Sequence, residues 1–223
     1  MSIKKSLYLP LALVLAGCAH NSPADSASAK HWWWPFGETA PKQQVVVQPD
    51  PKVTQAWLDE YEPRLREALK DSRLELERRD NLLVVTAPVD ASFNPDRPSM
   101  LLPVTLGPFS KVAKLLEKDP KTGVLILGHA DSSGQAQLNR ELSQQRAQAV
   151  AAIFRLSGLQ RDRLMLKGLG SDMPRAANDS KEGRSLNRRV EILVTPQDTL
   201  VALLAGYNQP SKTTAVVAAG QIK

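Results

Sequence analysis

Asp131 and Arg146 are the two charged side chains whose types and placement fit recognition of a zwitterion. At 100° per residue, the helix expected over residues 136–157 carries Arg140, Glu141, Gln144, Gln148 and Arg155 on one side. Leu138, Leu142, Ala149, Val150, Ile153 and Phe154 lie on the other. Arg146 breaks this split by falling within the apolar arc, with Asn139 about 20° away on the same line and Ser143 close by. An arginine that faces inward needs an anion or several acceptors, because an unpaired buried charge costs several kcal/mol. Helical side chains lean toward the N-terminus, so the guanidinium is predicted to reach back toward the loop that carries Asp131. Two arrangements satisfy this reading. In one, Asp131 receives an ammonium and Arg146 a carboxylate, with Asn139 in support. In the other, the pair forms a salt bridge that only holds the loop on the helix.

The elements that would position these groups are readable in outline. Trp57, Leu58, Tyr61, Leu65 and Leu69 predict a helix over residues 53–70, with Pro63 kinking it or starting a second segment. Leu74–Arg78 and Leu82–Ala87 flank Asp80 and Asn81 as a β-hairpin. Leu106, Phe109, Val112, Ala113 and Leu116 recur at helical steps, ending before Asp119 and Pro120. Val124–Leu127 is a short apolar run of the buried-strand type, Arg163–Lys167 a further strand, and Val190, Ile192 and Val194 alternate in a last one. Strands and helices interleave, so the expected fold is an α/β sandwich of βαβαβ type with helices packed on one mixed sheet.

Gly128-His129-Ala130-Asp131, Gly134, Asn139, Leu142-Ser143, Arg146-Ala147 and Val150 form an ordered set of motifs. They continue as Gly168-Leu169-Gly170, Pro174, Asn178, Gly183-Arg184 and Asn187-Arg188-Arg189-Val190-Glu191-Ile192. Over residues 82–195 this set resembles the OmpA-like peptidoglycan-binding domain shared by outer membrane protein A, the peptidoglycan-associated lipoprotein and flagellar stator proteins. The resemblance implies non-covalent binding of the diaminopimelate-containing stem peptide of peptidoglycan, with Asp131 and Arg146 holding its amino and carboxylate groups and Asn139 supporting them. Ser143 and Asn94 are further candidates for ligand contact. Ala130 stands where the family usually has threonine, which removes one hydroxyl. The segment Phe93–Pro103 is longer and richer in proline than the family's corresponding loop. Arg184, Asn187, Arg188 and Arg189 also fit the motif, and are read as caps and salt bridges that fix the last strand rather than as ligand contacts.

Outside the domain, Lys4 and Lys5 precede an apolar stretch from Leu7 to Ala16 that is too short to span a bilayer. Leu15-Ala16-Gly17-Cys18 then resembles the lipobox of bacterial lipoproteins. That resemblance implies a signal peptide over residues 1–17, lipidation (palmitate) of Cys18, and, since Ala19 follows rather than Asp, a protein anchored in the outer membrane and facing the periplasm. Residues 18–52 read as a flexible linker. Within it, Trp32–Phe36 fits a membrane-surface contact, a partner or packing on the domain equally well. The domain is expected over residues 53–196, and residues 197–223 read as a disordered tail.

The net charge of +6 falls to +4 without residues 1–17, because two lysines and no acid leave. Dispersed acids and scattered aromatics argue against nucleic acid. Cys18 is the single cysteine, so neither an intrachain disulfide nor a multi-cysteine metal site can form. His129 and Asp131 alone make a poor catalytic or metal site, and neither enzyme activity, a cofactor nor a metal is expected. The competing reading is an interaction subunit of an envelope complex, with wall binding secondary.

Overall fold

In the computed structural model, residues 51–208 are described. The expectations for the signal segment, Cys18, Trp32–Phe36 and residues 213–223 lie outside them. The elements are α1 (Pro51–Ala68), β1 (Glu75–Arg79), β2 (Leu82–Pro88), α2 (Val89–Ser92), α3 (Pro103–Glu117) and β3 (Thr122–Gly128). They continue with α4 (Ala136–Leu156), β4 (Leu164–Gly168), α5 (Lys181–Asn187), β5 (Arg189–Pro196) and α6 (Leu200–Asn208). The sheet order is β1-β2-β5-β3-β4. The β3–β4 pair is parallel and the other pairs are antiparallel, which is the expected mixed α/β architecture.

Local chemistry accounts for most boundaries. Asp80 takes φ 45° in the hairpin turn between β1 and β2, a left-handed conformation that aspartate tolerates better than most residues. Pro103 opens α3, where its missing N–H is no loss. Contrary to the expected break, Pro63 lies inside one continuous α1. Leu58, Tyr61 and Leu65 on either side of it are buried, and their packing outweighs the lost hydrogen bond.

One face of the sheet presents Val85, Val124, Ile126, Val190, Ile192 and Val194 to Leu65, Phe109 and Phe154 of α1, α3 and α4. The opposite face presents Val84, Leu125, Leu127 and Leu193 to Leu169 and Leu200. The inner strands are therefore buried on both sides, which explains their unbroken apolar runs. Residues 197–208, read from sequence as the start of a tail, supply part of that second cover. Lys167 Nζ donates to the carbonyl of Tyr207 at 2.7 Å and to Asn208 Oδ1 at 2.6 Å, neutralising the C-terminal end of α6. No helix signal marked this stretch, because α6 has no charged face to create a period. The sheet's second face creates the demand for it.

Arg163 was read only as the start of a strand, yet it organises the far end of the sheet. Its buried guanidinium donates to the carbonyls of Leu116, Glu117, Asp119 and Thr122 and to Thr122 Oγ1. It thus caps α3 from a distant position in the chain. Arg163→Met is expected to lower stability by about 3 kcal/mol, since several carbonyls lose their donors in a buried place. A shift in the urea midpoint at constant m-value measures it.

Two glycines set the height of α4 over the sheet. Gly128 and Gly168 are paired across β3 and β4. A Cβ on the first would collide with the Ser143 carbonyl, and one on the second with the Gln144 amide nitrogen. The helix that carries Asn139 and Arg146 thus rests directly on the strand ends.

Candidate functional site

The strand ends at this place bring distant segments together. Pro88 at the end of β2 pairs with Arg189 at the start of β5, and Gly128 at the end of β3 pairs with both Val190 and Gly168. Asp90, the loop after Phe93, the loop 129–135, the first half of α4 and Arg188 therefore share one end of the sheet.

Asp131 does not pair with Arg146. Its Oδ2 accepts from Arg188 Nη1 at 2.8 Å and its Oδ1 from the Ser133 amide at 2.8 Å. Burial raises the carboxyl's pKa, but these donors outweigh it and hold Asp131 below its ordinary value. Arg188 also grips Asp90, with Nη2 at 2.6 Å from Oδ2 and Nε at 3.0 Å from Oδ1. Asp90 is held low in turn, first by Arg188 and also by the Ser185 hydroxyl. The salt-bridge arrangement of Asp131 with Arg146 is thus replaced by an Asp90–Arg188–Asp131 bridge.

Arg146 falls inside, as its place on the helix requires, and is only 4% exposed. Its Nε donates to the Pro98 carbonyl at 2.8 Å, and its guanidinium carbon stands 5.7 Å from the Phe93 ring centre. Among the described residues no carboxylate lies within ion-pair distance, and Nη1 and Nη2 make no hydrogen bond. Burial pulls its pKa down to about 10 with help from Arg188, while Asp90 and Asp131 oppose the shift. It remains a cation at neutral pH, with the fork end of its guanidinium uncommitted.

The remaining candidates shape the site. Asn139 Nδ2 donates to the backbone carbonyls of Asp131 at 3.1 Å and Ser133 at 2.9 Å, so it fixes the loop rather than the carboxylate. Ser143 is fully buried, with its hydroxyl donating to the Arg140 carbonyl and accepting from the Gly170 amide. Asn94 Oδ1 accepts from the amides of Asp96 at 2.8 Å and Arg97 at 3.1 Å, which folds the loop whose Pro98 reaches Arg146. Leu138, placed on the apolar side of α4 from sequence, is 57% exposed. The buried line of this helix runs instead through Ser143, Arg146, Ala147, Val150, Ala151 and Phe154.

Three of the four motif residues near the last strand have the structural partners expected of them. Arg184 donates to the Asn178 carbonyl, Asn187 Oδ1 accepts the amides of Arg175 and Ala176, and Arg189 pairs with Glu191 at 3.0 Å. Arg188 departs from that reading by reaching Asp131. Asp90 was overlooked, and its signal was a carboxylate just beyond the end of a buried strand.

The His129–Asp131 pair is not formed. His129 is 2% exposed and its Nε2 stands 3.5 Å from Glu191 Oε2. That is too long for a good hydrogen bond, and neither ring nitrogen is bonded among the described residues. Burial pushes the imidazole below its ordinary pKa. For Glu191 burial acts upward, but the neighbouring His129, Arg189 and Arg79 outweigh it and hold the carboxyl well below its usual range. Both shifts make the unfolded chain bind more protons than the folded one, so stability falls as pH falls. The loss is expected to begin below about pH 6.5, from the imidazole, and to steepen below about pH 4.3, from the carboxyl. Urea midpoints between pH 8 and 4 test this, and His129→Gln is expected to remove the upper part of the slope.

The other end of the sheet receives the chain that precedes the domain. Gln55 in α1 donates to Asn81 in the hairpin turn at 3.2 Å, and Tyr61 donates to Asp119 ahead of β3 at 2.5 Å. The start of α1 therefore lies opposite the end that holds Asp131 and Arg146.

Residues 93–188 match the OmpA family. The chain is 34% identical over 140 residues to the probable lipoprotein YiaD of Escherichia coli, covering 63% of this chain and 64% of that protein. It is 40% identical over 94 residues to the peptidoglycan-binding protein ArfA of Mycobacterium tuberculosis, covering 42% of this chain and 29% of the relative. It thus spans less than two thirds of the length of either curated relative. Among solved structures, the cell wall anchor of the T6SS from Pseudomonas aeruginosa is 33% identical with a TM-score of 0.53, covering 60% of this chain and 98% of that one. Fold, motif and these matches identify residues 93–188 as an OmpA-like domain of the OmpA family.

Proposed function

We propose that this protein binds peptidoglycan non-covalently through the diaminopimelate of the stem peptide, and that a lipid on Cys18 holds it in the outer membrane, so that it ties membrane to wall. The observation that carries the reading is Arg146, a buried cation whose fork end has no partner among the described residues, beside the Asp131 loop. A carboxylate matches that fork in shape and charge. The start of α1 at the opposite end supports the tethering, since the linker and the wall ligand would pull on opposite ends of the domain. Relatives named as a lipoprotein and a peptidoglycan-binding protein, and a structure named as a cell wall anchor, agree with it.

Co-sedimentation of the detergent-solubilised full chain with purified sacculi tests the binding. The wild type is expected in the pellet and Asp131→Ala in the supernatant, with unchanged circular dichroism. For the anchor, Cys18→Ser is expected to move the protein from the outer-membrane fraction to the soluble periplasm. Retention of that variant in the membrane would overturn the lipid assignment.

A second reading, an interaction subunit of an envelope assembly, draws on the likeness to the T6SS cell wall anchor. Deleting Trp32–Phe36 separates the two, because it is expected to leave sacculus binding intact while an assembly role would lose envelope integrity.

A further inference from the structure

The two charged groups assigned to the ligand are not equivalent in this chain. Asp131 already has its counter-charge, since Arg188 lies 2.8 Å from Oδ2 while the Ser133 amide occupies Oδ1. Arg188 is itself anchored by Asp90 through two further contacts, so it does not leave freely. Arg146 is the reverse case. It is 4% exposed, has no carboxylate within ion-pair distance among the described residues, and only its Nε is bonded, to Pro98.

Resting on the peptidoglycan reading, we propose that recognition is asymmetric: the carboxylate at the end of the diaminopimelate side chain is required and the amino group beside it is dispensable. An incoming ammonium adds to a carboxylate that is already neutralised, and a partly exposed contact of this kind contributes little. An incoming carboxylate supplies the missing anion to a desolvated guanidinium and can take two parallel hydrogen bonds from Nη1 and Nη2. An amide in its place brings no charge and directs donors at donors. The ligand class is therefore the stem peptide with a free side-chain carboxylate. Stems whose amino group is acylated, as in cross-linked wall, bind, and stems amidated on that carboxylate do not.

Three synthetic tetrapeptides of L-Ala, γ-D-Glu, meso-diaminopimelate and D-Ala provide the test against the detergent-solubilised full chain: the parent, its side-chain N-acetyl form and its side-chain carboxamide. Calorimetry or fluorescence polarisation is expected to place the acetyl form within about fivefold of the parent and the carboxamide at least about 30-fold weaker. In Arg146→Gln the acid and amide are expected to bind within a few-fold of each other, because the cation that separates them is gone. If the parent binds and the acetyl form loses as much as the amide, the asymmetry is wrong and the peptidoglycan reading survives. Persistence of the acid–amide gap in Arg146→Gln also overturns the asymmetry. If none of the three peptides binds the wild type, the peptidoglycan reading fails and the asymmetry with it.

Discussion

Arg146→Gln is expected to abolish co-sedimentation with sacculi, weakening binding about 30-fold or more, while the urea midpoint stays equal or rises. Removing a buried, fully paired charge usually destabilises, because its partner is stranded. Here no carboxylate is stranded, since Asp131 and Asp90 both belong to Arg188. What disappears is a desolvated cation, one bond to the Pro98 carbonyl and a contact above Phe93 worth about 0.5–1 kcal/mol. A binding residue and a structural residue thus separate cleanly: loss of binding with retained stability marks the former, and loss of stability marks the latter. Arg188→Gln has the opposite signature. It leaves Asp90 and Asp131 facing each other without their shared cation, and is expected to lower stability as well as binding. An Arg146→Gln chain that still pellets with sacculi would move the site elsewhere.

Gly128→Ala is expected to have the largest effect on stability, about 3 kcal/mol or more. The new Cβ meets the Ser143 carbonyl, which is helix backbone and cannot rotate away. Gly168 alongside it faces the backbone of α4 as closely, so the helix has no side to slip toward. Lifting α4 also strips the Gly170 amide of its bond to Ser143 and carries Asn139 away from the carbonyls it pins. Weakened wall binding should accompany the lower urea midpoint. Gly107→Ala is the control, since its Cβ meets nothing within 4 Å and lies within α3. That change is expected to raise stability by about 0.5–1 kcal/mol. An unchanged midpoint in Gly128→Ala would mean that α4 does not rest on the strand ends.

The order of the elements and the burial of Arg146 follow from residues near in sequence. Helical steps in α3 and α4, an apolar run in β3 and the Asp80–Asn81 turn depend on side-chain period and backbone preference, which short stretches carry within themselves. A cation in the middle of an apolar arc is inward whatever the helix packs against. The left-handed turn at Asp80 likewise owes nothing to distant residues.

The partners of those residues did not follow, because each depends on strands arriving side by side from far apart in the chain. Arg188 reaches Asp131 across 57 positions, and Pro98 reaches Arg146 across 48. Arg163 finds its carbonyls at the end of α3 only when β4 lies beside β3. The same holds for α6, whose uncharged residues carry no period until the second face of the sheet gives them something to cover. By itself the sequence determined which segments become helices and strands, the inward place of Arg146 and the family motif. The tertiary structure decided which charge meets which. Periodicity constrains the direction of a side chain from its own helix or strand, whereas an ion pair requires two such directions to converge, and that convergence is set by sheet order and by the height of α4 over Gly128 and Gly168.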